Sequence, residues 1–146
     1  MTGIVDVLAL LTAQHDEIEE LLVRVADPVT RAPAFTELAD LLPAHLALEQ
    51  EVFYPAVAPL FGRELMDEVL AEHCEIKRVL ADLVWLDTDD ARFGRKLAAL
   101  AALLDGHSGW QEDRMFSSVA ELVEVETRLA LGARMQQSLA LEPLAA

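Results

Sequence analysis

The four histidines of this sequence are its most chemically informative residues, and they recur at a regular interval. They are His15, His45, His73 and His107, separated by 30, 28 and 34 residues. Neutral imidazole is the commonest metal ligand among side chains, whereas four imidazoles brought together without a metal would be hard to satisfy and would repel one another once protonated. If the fold brings these residues into one place, their chemistry predicts a metal site.

A carboxylate accompanies the second histidine. In the segment HLALEQEVFYP, which begins at His45, Glu49 follows four residues after the histidine. On a helix both side chains project from one face, so they can bind the same ion or two adjacent ions. Imidazoles with a bridging carboxylate suit a pair of iron ions, and zinc or manganese is a less favoured alternative.

The carboxylate expected near the last histidine stands one residue late. One helical turn after His107 the sequence has Gln111, and Glu112 is the next residue. A regular helix would point Glu112 away from His107, and a one-residue π-bulge would bring it back. We therefore predict an irregularity between His107 and Glu112. In the alternative the helix is straight, Gln111 faces inward and Glu112 is a solvated charge beside Asp113.

The elements that must position these residues are amphipathic helices. Each histidine takes one place in an otherwise apolar stripe with steps of three and four residues, the period of a helix with one buried face. The stripes predict helices at about residues 4–26, from residue 33 to about 53, at 66–83 and at 93–111. Proline, glycine and aspartate mark the connections, at about residues 27–33, 54–62 and 87–90.

Together these elements predict an all-α fold, an up-down-up-down four-helix bundle with an additional C-terminal helix. Residues equally distant from a shared turn lie at one level of such a bundle, so the spacing puts the four imidazoles in a single layer. We assign residues 1–120 to the bundle and residues 121–146 to a C-terminal helix packed on the same domain, with a cap at Ser117 or Ser118.

Charge and composition exclude several functions. The sequence has 26 acidic and 11 basic residues and a formal net charge of −15, which disfavours nucleic-acid phosphates and anionic membrane surfaces and favours cations. Charges or histidines interrupt every apolar run before the roughly 20 residues of a membrane span. Cys74 is alone, and no secretory leader is recognisable. We expect a cytoplasmic protein, monomer or dimer, that binds neither nucleic acid nor membrane.

Taken in order, the four histidine motifs resemble those of the hemerythrin family, specifically bacterial hemerythrin-like proteins of the HHE cation-binding type. The resemblance spans about residues 3–118 and rests on LLTAQHDEIEELL, HLALEQEVFYP, AEHCEI and HSGWQEDRMF. It implies a four-helix bundle around an oxo- or hydroxo-bridged di-iron centre. The metal ligands that it implies are His15, His45, Glu49, His73, His107 and, where oxygen carriers have Asp, Glu112.

One departure from the oxygen carriers bears on function. Lys77 stands where they have a further histidine, and a protonated Lys facing the metals would weaken their binding, so we expect Lys77 on the solvated flank of its helix. One metal then lacks an imidazole and has an open position for a small molecule. The resemblance therefore implies binding, sensing or reduction of oxygen, peroxide or nitric oxide, of which catalase-like activity is one form. The alternative is a helical interaction or regulatory module with a structural, single-metal or degenerate site.

Overall fold

The chain folds into long antiparallel helices with short connections. The computed structural model describes residue 3 and residues 5–145, apart from the side chains of residues 140–145. The helices are α1 (Val7–Ala26), α2 (Arg31–Leu48), α3 (Tyr54–Phe61), α4 (Arg63–Trp85), α5 (Phe93–Trp110), α6 (Ser117–Leu122) and α7 (Val125–Ala145). The predicted helix start at Ile4 and the outer domain limits at Met1 and Ala146 lie outside the described residues.

Two π-helical segments make the second and fourth rods of the bundle continuous. The segment Glu49–Phe53 joins α2 to α3, and Gln111–Phe116 joins α5 to α6. With α1 and α4, these rods form the predicted up-down-up-down bundle, and α7 is the additional C-terminal helix. Among the described residues, no helix combines the length and the hydrophobicity that crossing a membrane requires.

The second connection is shorter than predicted. The prolines of residues 54–62 indicated a loop, yet α3 continues the helix to Phe61 and only Gly62, with φ of 83°, turns the chain. Pro55 lies in the first turn of α3, where a helix tolerates a residue without an N–H. Burial of Tyr54 and Val57 then stabilises a helix that the local sequence disfavours.

The C-terminal helix begins later than the predicted cap. The hydroxyls of Ser117 and Ser118 donate back to the carbonyls of Asp113 and Arg114, as in a continuing helix. The chain instead breaks at Val123, after which α7 packs against α1. The backbone of α7 at Gly132 lies very close to the backbone at Val5: a Cβ added at Gly132 would be 1.7 Å from the carbonyl oxygen of Val5. Only glycine fits at this position.

The apolar core has two parts, and the histidines separate them. One part contains residues that are closer to the first turn, including Ile18, Leu42 and Ile76. The other includes Leu11 and Leu48 and takes in side chains from α3 and α7. Each histidine stands between apolar residues that belong to the two different parts, so the bundle holds a polar layer between two dry ones.

Candidate metal centre

Five of the predicted site residues meet in the polar layer. His15, His45, Glu49, His73 and His107 are all buried, and Glu49 is completely inaccessible to solvent. They form two groups that share Glu49: one with His15 and His45, and one with His73 and His107. Within each group the potential ligand atoms all lie within 4.8 Å of one another, so each group could hold one ion.

The carboxylate of Glu49 lies at the middle of the layer. Its Oε1 is 3.3 Å from Nε2 of His45, one turn earlier on the same rod. The same oxygen is 3.1 Å from Nε2 of His73 and 3.1 Å from Nε2 of His107. A single carboxylate thus contacts imidazoles of three rods, which is the position that a bridging ligand requires.

Three buried polar atoms of the predicted ligands have no hydrogen-bond partner in the described part of the protein. Nε2 of His15, Nε2 of His45 and Oε2 of Glu49 are buried and have no hydrogen-bond partner. A buried polar atom without a partner costs roughly 1–3 kcal/mol, and these three lie in one group of potential ligands. Imidazole nitrogen and carboxylate oxygen are ligands for iron, zinc and manganese, so a bound cation would satisfy all three.

Each imidazole is also held from outside through its other nitrogen. Nδ1 of His45 lies 2.8 Å from Oε1 of Gln14, and Nδ1 of His73 lies 3.0 Å from Oε1 of Gln50. Nδ1 of His107 contacts the carboxylate of Glu72. These oxygens accept hydrogen bonds from Nδ1–H and so turn Nε2 toward the centre, which is how protein metal sites orient their histidines.

Glu112 is the corresponding outer partner of His15. Its Oε2 is 3.3 Å from Nδ1 of His15, on the outer side of the ring, and its side chain is 36% exposed. The structure does not bring Glu112 into either group of potential ligands. The irregularity expected between His107 and Glu112 takes the form of the π-helical segment, which begins at Gln111, so the turn from His107 to Trp110 is α-helical.

Gln111 faces the layer in place of Glu112. It is fully buried, and its amide nitrogen donates to the hydroxyl of Tyr54 at 3.0 Å. That hydroxyl lies 3.1 Å from Nε2 of His73. Burial and the charge of Glu49 raise the pKa of Tyr54, so it is a neutral phenol beside the second group.

Lys77 lies outside the layer, on the exposed side of α4. Its ammonium donates to Oε1 of Gln50 at 2.9 Å, the same oxygen that contacts Nδ1 of His73. The expectation that Lys77 occupies the flank of its helix agrees with this position. The ammonium of Lys77 therefore interacts with the side-chain amide of Gln50, which in turn orients His73.

Sequence reasoning missed the outer partners Gln14, Gln50 and Glu72. Each is the immediate neighbour of a predicted ligand, yet each holds a histidine of a different rod: Gln14 that of α2, Gln50 that of α4 and Glu72 that of α5. Adjacency to a ligand was the available signal. The identity of the partner histidine depends on how the rods face each other, which adjacency does not show.

The protonation of the histidines differs across the layer. Burial lowers the pKa of His45 to about 4, against the opposing pull of Glu49, and burial also lowers the pKa of His15. Burial disfavours charge on His107 too, but its hydrogen bonds to Glu49 and Glu72 prevail and raise its pKa to about 9. Although burial opposes ionisation of Glu49, His45 and the hydrogen bonds from His107 and His73 hold its pKa well below the usual range.

Comparison with known families agrees with this geometry. The model of the hemerythrin HHE cation binding domain matches residues 6–119, which contain both groups of potential ligands. The chain belongs to this family. The matched residues run from the start of α1 into α6, and α7 follows them.

Two individual proteins are similar to this HHE domain. The crystal structure of a hemerythrin HHE cation binding domain-containing protein from Mycobacterium kansasii, a homologue of Rv2633c, has a TM-score of 0.77 and 24% identity. The match covers 92% of this chain and 87% of that one, so the two share the fold. A DNA nickase of Nostoc sp. (strain PCC 7120 / SAG 25.82 / UTEX 2576) is 24% identical over 113 residues. That match covers 75% of this chain but about a third (32%) of the nickase.

Proposed function

We propose that the protein holds two iron ions in its histidine layer and binds, senses or reduces a small oxidant, namely oxygen, peroxide or nitric oxide. The observation that carries the proposal is Glu49, a buried carboxylate shared by two groups of imidazoles whose inner nitrogens face it. A carboxylate shared between two imidazole groups suits a pair of iron ions. When bound, such a pair supplies redox equivalents and an open coordination position for the oxidant.

The chain's own residues then have distinct roles. His15, His45, Glu49, His73 and His107 are the proposed ligands, and Glu49 is the bridge. The outer partners Gln14, Gln50 and Glu72 hold the imidazoles in the tautomer that presents Nε2.

Glu112 is proposed to orient His15 rather than to bind metal. Its contact is with the outer nitrogen of that ring, and it is partly exposed, whereas the five proposed ligands are buried. Gln111 and Tyr54 occupy the region beside His73 where a further ligand would otherwise stand. Each group offers only three protein ligands, which leaves an ion with a position open to a small molecule and favours redox chemistry such as catalase-like disproportionation over simple carriage.

A single-metal protein is the second candidate, and one observation favours it. Among the five proposed ligands, the unpartnered atoms belong to His15, His45 and Glu49, whereas His73 and His107 already have hydrogen bonds to Tyr54 and Glu49. One ion between His15, His45 and Glu49 would satisfy the unpartnered atoms of these three residues. Such a protein would have a structural metal and act through its helical surfaces.

We do not extend the nicking of DNA to this chain. The net charge of −15 opposes approach to a phosphate backbone, and the matched portion is a minor part of the nickase. We propose a cytoplasmic protein that binds neither nucleic acid nor membrane.

Metal content and optical spectrum test the proposal directly. Purified full-length protein, reconstituted with ferrous iron under anaerobic conditions and then exposed to air, should contain two irons per chain and show bridged-ferric absorption bands. Adding peroxide should then release oxygen, and His45→Ala should lose both the bands and the oxygen release while retaining its helical circular dichroism. One iron per chain supports the single-metal candidate, and a folded protein that takes up no iron would contradict both.

A further inference from the structure

A groove lies between α1 and α5, outside the histidine layer. Described residues line a cavity of about 440 Å³ there, and they include the apolar side chains of Ile18, Leu22 and Leu104. Small residues of α5 keep it open: Ala101, Ser108 and Gly109 line it, and a Cβ added at Gly109 would meet no atom within 4 Å. The two helices therefore leave a space that larger residues on α5 would fill.

The groove and the histidine layer have a wall in common. His15 lines the groove, although its side chain is only 3% exposed. Glu112, on the outer nitrogen of that ring, also lines it, while the unpartnered Nε2 of His15 belongs to the group with His45 and Glu49. One imidazole with its carboxylate partner thus lies between the groove and the proposed metal position.

Charge limits what can enter. Asp16, Glu19, Asp105 and Glu112 line the groove, and no lining residue of the described chain is Lys or Arg. Four carboxylates without a basic neighbour in the lining repel anions, whereas an uncharged molecule meets apolar walls and no such barrier. Xenon, a small uncharged guest of apolar protein cavities, can therefore probe the apolar part of the lining.

We propose that the groove between α1 and α5 is the entrance through which small uncharged molecules reach the His15 side of the histidine layer. The inference rests on the proposed function, because an entrance has a purpose only if the layer reacts with such a molecule. It adds a side of approach and a discrimination against anions by the carboxylates of the lining. Glu112 is the positioning residue at the inner end.

A matched pair of variants tests whether the groove accepts an uncharged guest. Gly109→Leu places a leucine side chain in the lining of the groove, whereas Gly106→Leu adds the same side chain three residues earlier on α5, at a position that does not line it. In metal-free full-length protein under xenon pressure, the amide NMR signals of Leu22 and Leu104 should shift saturably in the wild type and in Gly106→Leu. They should not shift in Gly109→Leu. Equal shifts in the two variants would overturn the groove as a binding site.

The same pair tests whether the groove leads to the centre. In iron-loaded ferrous protein, Gly109→Leu should slow association of nitric oxide by about tenfold without changing the final spectrum, and Gly106→Leu should react at the wild-type rate. Ala101→Leu, which fills the groove from its other end, should behave like Gly109→Leu. Unchanged rates in both filling variants, while xenon is excluded, would overturn the entrance alone.

The charge of the lining supplies an independent readout. The double variant Glu19→Gln, Asp105→Asn should raise the association rate of azide, an anion, and leave that of nitric oxide unchanged. Equal effects on both probes would contradict selection by charge. If iron-loaded wild type reacted with neither probe, the proposed function would fail and the entrance with it, an outcome distinct from a wild-type reaction that the filling variants do not alter.

Discussion

The two sides of the histidine layer contrast in how completely the protein satisfies them. On the side of His15 and His45, both inner nitrogens lack a partner and burial lowers the pKa of both imidazoles. On the side of His73 and His107, the inner nitrogens already lie within hydrogen-bond distance of Tyr54 and Glu49. One side is neutral and has free lone pairs, whereas the other is hydrogen-bonded.

Because of this contrast, the free energy of binding a metal ion should differ between the two sides. Binding to neutral imidazoles requires no proton to leave, whereas His107, with its pKa raised to about 9 by Glu49 and Glu72 despite burial, must lose a proton before its Nε2 can bind a metal. We expect the side of His15 and His45 to fill first. Metal occupancy of the second side should then depend more strongly on pH.

The largest expected effect comes from removing the residue that both sides share. Glu49→Gln should lose both ions, with an affinity loss for each that exceeds the roughly 100-fold cost of losing an outer partner. Zinc titration with elemental analysis measures this. Glu51→Gln is the matched control, because Glu51 belongs to the same π-helical segment but is exposed. Retention of one tightly bound zinc by Glu49→Gln would show that the two sides are independent.

The next largest effect is the pH dependence of the metal-free protein. His45, with its pKa lowered by burial to about 4, is protonated in the unfolded chain below about pH 6.5 but not in the folded one, so stability falls by about 3 kcal/mol as the pH drops from 6.5 to 4. His107, with its pKa raised to about 9 by Glu49 and Glu72 against burial, contributes stability below pH 6.5 that is lost, by a similar amount, as the pH rises through 9.

Urea unfolding at a series of pH values checks this prediction. The free energy of unfolding should be greatest near pH 6.5 and decline on both sides. His107→Ala should remove the alkaline decline and keep the acid one. A stability that rises steadily from pH 6.5 to 9 in the wild type would contradict the assignment of His107 as the protonated member of the layer.

The smallest effect concerns Lys77 and sharpens the contrast further. Lys77→Met should weaken the binding of the second zinc, on the side of His73 and His107, because Gln50 loses the donor that orients it toward His73. The expected loss of affinity is about twofold to fivefold, the effect of one exposed hydrogen bond. The first zinc should bind as in the wild type, and Lys77→Arg should restore the second. Arg78→Met is the control, since Arg78 is exposed and pairs with Glu75 instead.

Nitrogen NMR of the His73 ring distinguishes orientation from a general loss of stability. Lys77→Met should increase the population with the proton on Nε2, and Arg78→Met should not. An equal loss of affinity for both zinc ions would indicate that Lys77 acts on the whole bundle rather than on one side.

The second and fourth rods show how far sequence reasoning could go. Apolar periodicity predicted helices on both, and the one-turn spacing of His45 and Glu49 correctly placed their side chains together. It could not predict that the second rod continues past Pro55, because tertiary burial of Tyr54 and Val57 outweighs the local signal. The assignment of Glu112 to the metals stays a prediction, and nothing in the sequence indicated the contact that this carboxylate makes with the outer nitrogen of His15.

Local geometry explains what the sequence determined by itself. The rise of a helix per residue and the position of its turns set the height of each residue, so the spacing of the histidines was enough to predict one layer of four imidazoles. Rotation about the rods and the faces they present to one another were decided only in the tertiary structure. The π-helical segment from Gln111 changes the direction of every later side chain, and the packing of the rods selects which amide or carboxylate meets each Nδ1. Those two features separate the free side of the layer from the hydrogen-bonded side.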